Sequence, residues 1–104
     1  MYSVSAEHSR LRRESLGPLF VRLSVKLSGA FDQSWVRSYE RIRAETDQFS
    51  RFTLDLQSGM VLLTCRWTDG DAEIHTLMQR LDLLLELANL HATLEATSEK
   101  RQSA

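Results

Sequence analysis

The chain has 104 residues, 42% of them hydrophobic and 26% charged, with a net charge of −1. That is enough for one compact domain. The near-neutral balance gives no bulk attraction to nucleic acid or to an anionic membrane. A single cysteine, Cys65, rules out an internal disulfide, and no apolar run approaches the ~20 residues of a membrane span.

Residues 1–17 are polar and rich in Ser, Arg and Glu, with no apolar signal-peptide core. They read as a flexible arm carrying a short helix around Ala6–Ser15, on a cytoplasmic protein. Gly17-Pro18 opens the folded part, taken as residues 18–95. From Phe20 to Ser28 the chain alternates. Val21, Leu23, Val25 and Leu27 face one way, and Arg22, Ser24 and Lys26 the other, the pattern of a half-buried strand.

Asp32 is placed to cap a helix whose apolar face carries Phe31, Trp35, Tyr39 and Ile42. Phe31 and Val36 stand at the positions of a hydrophobic staple. The segment from Phe49 to Thr68 reads as a β-hairpin turning at Ser58-Gly59. A two-residue turn there predicts the pairs Leu56–Val61, Leu54–Leu63, Phe52–Cys65 and Ser50–Trp67. Three of these are apolar on both sides and all lie on one face.

Asp69-Gly70-Asp71 breaks the chain and starts a last helix, with Asp71 and Glu73 at its positive end, running to about Leu94. The tail, residues 96–104, is polar and expected to fray. The predicted order is βαββα: an α+β two-layer sandwich with both helices on one face of a three-stranded antiparallel or mixed sheet. The first strand should lie beside the third. This order resembles a ferredoxin-like unit lacking its last strand. It would leave one edge of Val21–Leu27 open, for a second copy to pair with or for Tyr2–Ser5 to cover.

The last helix is apolar on two sides. Ile74, Leu77, Met78, Leu81, Leu84, Leu85 and Ala88 form one stripe, and Leu83, Leu87, Leu90 and Leu94 form another about 180° away. The sheet accounts for the first. The sheet leaves no surface for the second, so it predicts self-association as a homodimer, with docking of another protein, or cover from the N-terminal arm or the first helix, as the alternatives. In a parallel helix pair Glu86 and His91 would flank that seam.

The outward sheet face should carry Arg22, Lys26, Arg51 and Arg66, with Arg51 opposite Arg66. That is a candidate face for nucleic acid or another anion. Trp35, Tyr39 and Trp67 form a candidate wall for a small-ligand cleft. No catalytic constellation, metal-ligand spacing, phosphate loop or cofactor motif is present. Asp69, Asp71 and Glu73 fit helix capping better than calcium binding. The sequence therefore predicts a non-enzymatic binding or assembly module that uses no metal and no cofactor.

Overall fold

The computed structural model describes residues 2–66 and 70–102, with backbone alone at residue 71 and residues 98–102. It is an α+β fold with an antiparallel five-stranded sheet. The strands are β1 (Ser5–Ala6), β2 (Arg12–Ser15), β3 (Phe20–Ser28), β4 (Thr53–Asp55) and β5 (Met60–Arg66). The helices are α1 (Gln33–Glu45) and α2 (Asp71–Gln102), and short 3-10 turns cover His8–Arg10 and Asp47–Phe49. β3 pairs with β5 and β5 with β4, while β1 and β2 share the other edge of β3.

The sheet thus has five strands where three were expected, and the edge of Val21–Leu27 is covered. Arg12–Ser15 pairs with Val21–Ser24, and Ser5–Ala6 with Leu27–Ser28. The extra strands come from the beginning of the chain, so the fold is not simply a ferredoxin-like unit cut short. A 3-10 turn replaces the expected helix around Ala6–Ser15. Every side chain of β2 is exposed. Its pairing is a matter of backbone hydrogen bonds, and those leave no apolar pattern to read.

β3 spans the predicted residues, with Val21, Leu23, Val25 and Leu27 buried. Asp32 caps α1 by accepting a hydrogen bond from the Trp35 amide at 3.1 Å. The hairpin exists, but in a different register. Leu54 faces Val61, Thr53 faces Leu62 and Asp55 faces Met60. The turn is a four-residue loop over residues 56–59, closed by Gly59 N–H to the Asp55 carbonyl at 2.9 Å. The Asp55 carboxylate accepts from the Gln57 amide and the Ser58 hydroxyl, and Gly59 takes φ +67°, where a side chain would be strained.

The register differs from the predicted one by two residues, so every side chain keeps its face. Leu54, Val61, Leu63 and Cys65 stay buried, whereas Leu56 moves into the loop and is 63% exposed. The expected Ser50–Trp67 pair, and the expected capping by Asp69 and the Asp71 side chain, lie outside the described residues.

The core lies between the inner sheet face and the two helices. Trp35 and Tyr39 of α1 and Leu77, Leu81, Leu84, Leu85 and Ala88 of α2 are fully buried there. α2 continues past Leu94 to Gln102. No helix among the described residues is long and apolar enough to cross a membrane.

Candidate functional site

One side of α2 is spent on the core; the other is open. Leu83, Leu90 and Leu94 are 43%, 58% and 60% exposed. Leu87, the fourth member of the predicted stripe, is half-buried and leans on the core. A 32-residue helix is about 48 Å long at 1.5 Å per residue. The stripe from Leu83 to Leu94 takes up about 16 Å of that length, with Leu87 set lower than the other three. Beside the stripe runs an open groove lined by Tyr2, Leu83, Glu86, Leu87, Asn89, Leu90 and Thr93, of which Glu86 alone is charged. His91, expected beside the leucine seam, turns towards α1. Its Nδ1 lies 2.9 Å from the Ser38 hydroxyl and its Nε2 3.7 Å from Glu95. It ties the two helices and does not reach across the stripe to a partner of Glu86.

The N-terminal residues bound this groove as a strap. The Val4 N–H donates to Asn89 Oδ1 at 3.2 Å, and Asn89 Nδ2 donates back to the Val4 carbonyl at 2.9 Å. The same Oδ1 accepts from the buried Trp35 indole at 2.8 Å. The Tyr2 hydroxyl donates to the Asp32 carboxylate, 2.8 Å from Oδ1 and 2.9 Å from Oδ2. That bond, and the Trp35 amide, hold the Asp32 carboxyl below the usual carboxylate range. Val4 is 3% exposed. Gly29 leaves the strap its room: a Cβ there would come 3.0 Å from the Ser3 carbonyl oxygen. Tyr2–Ser5 was expected only as one possible cover for the edge of Val21–Leu27, which Ser5 and Ala6 pair with at Ser28 and Leu27. That Asn89 receives the segment was not legible, since Asn89 looks like an ordinary helix residue.

The outer sheet face differs from its predicted composition. Arg22 and Lys26 of β3 and Arg66 of β5 lie on it and are exposed. Arg51 precedes β4, so it has no cross-strand partner in Arg66. It donates instead to the Thr64 carbonyl at 2.7 Å. β2 adds Arg12 and Glu14 to the face. Glu14 stands opposite Arg22 with 3.9 Å between the charged groups. Phe20, 45% exposed, stands opposite Arg66.

The expected aromatic cleft is not formed by Trp35 and Tyr39. Both are fully buried and stacked, with ring centroids 5.4 Å apart; Trp67 lies outside the described residues. A polar cleft does open between α1 and α2, with Ser38 and Ala92 among the small residues lining it and Arg37, Arg41, His91 and Glu95 around it. Ser38 is 4% exposed and its hydroxyl is engaged by His91, an arrangement that joins the helices. Among the described residues no three His, Cys, Asp or Glu side chains converge as metal ligands. Cys65 is buried.

Comparison with protein-family models, with curated proteins and with solved structures finds no match for this chain.

Proposed function

We propose that the protein is a non-enzymatic assembly module that self-associates through the outer face of α2. The observation that carries this reading is the exposure of Leu83, Leu90 and Leu94 on one helix face. Exposed leucines gathered in a stripe mark an interaction surface, whereas single ones do not. A second copy is the partner the surface suits best. The Leu90 and Leu94 ridge lies beside the Tyr2–Leu87 groove. A two-fold axis along the stripe can seat the ridge of each protomer in the groove of the other. One charged residue in the groove leaves little to repel an identical surface. The other predicted contact, the edge of β3, is already taken by β1 and β2, which supports the helix face.

The test is the mass in solution of the full chain against Leu90→Glu/Leu94→Glu. The wild type should sediment as a dimer, with a Tm that rises with protein concentration. The double variant should be a folded monomer, because both side chains stand clear of the core. A wild-type monomer at tens of micromolar, or a variant of unchanged mass, would overturn the reading.

The outer sheet face supports a second reading, the binding of nucleic acid or another anion. Arg12, Arg22, Lys26 and Arg66 share it with the exposed Phe20. Glu14 and Asp55 divide its positive field, which places this reading second. A flat titration with single-stranded oligonucleotides at low salt, where such binding is strongest, would remove it.

A further inference from the structure

We propose that Asn89, Trp35 and Asp32 form a recognition site for an extended peptide segment with an aromatic residue two positions before a β-branched one. The chain's own Tyr2-Ser3-Val4 fills the site in cis, and a partner segment of that pattern displaces it. The occupant is argued from the segment already seated there. Asn89 reads a peptide backbone as a neighbouring strand would, accepting from the N–H and donating to the carbonyl of one residue, Val4. Such contacts require an extended chain and say nothing about its side chains. The side chains are read on either side: Val4 is buried, and the Tyr2 hydroxyl ends on Asp32. Ser3 between them and Ser5 after them are exposed and unselected.

The strap is built to come away separately from the rest of the sheet. Its strand, β1, is two residues long. Behind it the five residues Glu7–Leu11 stand opposite only Val25 and Lys26, so the chain bulges out before β2 begins. The bulge is anchored on its own account, with His8 Nε2 2.8 Å from Asp82 Oδ1, and β2 holds four further residues against β3. Release of Tyr2–Ala6 therefore withdraws Val4 from the edge of the core and leaves β2 and β5 paired with β3. It opens the Asn89 amide, which still accepts from the Trp35 indole, and one end of β3 to another strand.

The test uses the full chain carrying Val4→Asp, which undocks the strap, and Trp67→Phe, which leaves Trp35 as the single tryptophan, excited selectively over tyrosine. The probe is the synthetic peptide Tyr-Ser-Val-Ser-Ala-Glu. It should change Trp35 emission saturably. Replacing its Val by Ala should weaken binding about tenfold through the lost buried methyl groups. Asn89→Asp, which keeps the acceptor and removes the donor, should also weaken it. A folded Val4→Asp chain that does not respond to millimolar peptide overturns the proposal. If that variant does not fold, the wild-type chain is used with the same peptide carrying a benzophenone on its amino terminus, ahead of the Tyr, at the millimolar level that competes with a tethered strap. Cross-links should fall beside Asp32 and Asn89; their absence there overturns the proposal.

Discussion

Asn89 closes both backbone hydrogen bonds of Val4, a residue 85 positions earlier in the chain. One helix side chain thereby stands in for a strand at the end of the sheet. Because its oxygen also takes the Trp35 indole proton, the amide joins the strap, α1 and α2 at one point. Asn89→Ala should lower stability by about 1–3 kcal/mol, since the Trp35 indole N–H is left buried and unpaired. Urea unfolding measures this. Amide exchange at Val4 should accelerate in the variant as the strap loosens.

The Tyr2–Asp32 bond makes strap docking sensitive to acid. Asp32 is held below its ordinary value of about 4, so the folded state favours its carboxylate. The stabilisation is present above that value and is lost as the pH falls through the depressed one. Tyr2→Phe should raise the Asp32 pKa, read from its carboxyl carbon shift in an NMR titration. The difference in Tm between wild type and Tyr2→Phe should shrink as the solution is acidified below pH ~4.

Tyr39 has the opposite dependence. Its hydroxyl donates to the Phe52 carbonyl at 2.7 Å, and burial pushes its pKa far above the ordinary value of about 10. The folded chain keeps that proton where the unfolded chain loses it, so stability should decline as the pH rises above about 10. Of the two tyrosines, Tyr39 should ionise only on unfolding, which difference absorbance in alkali resolves. Tyr39→Phe leaves the Phe52 carbonyl without its partner and should cost about 1–3 kcal/mol. It should also remove this tyrosine's contribution to the alkaline loss.

The elements with strong internal periodicity were legible. The alternation from Phe20 to Ser28 fixes β3 and its buried side, and Asp32 marks the start of α1. The last helix showed both apolar stripes, and the structure places one inside and leaves most of the other exposed. The hairpin was found with the correct faces and the wrong register. Apolar pairing is unchanged by a shift of two residues, and the choice fell to the Asp55 carboxylate and the left-handed Gly59, which favour a longer loop.

By itself, then, the sequence determined β3, α1, the β4–β5 hairpin and α2 and which side of each is apolar, because burial imposes periods of 3.6 and 2 on neighbouring residues. Only the tertiary structure decided that a polar N-terminus completes the sheet and that Asn89 receives it. Those contacts are made by backbone groups and by one amide across 85 positions of chain. Backbone hydrogen bonds are available to nearly any residue, so the partner that satisfies them leaves no trace in composition or spacing.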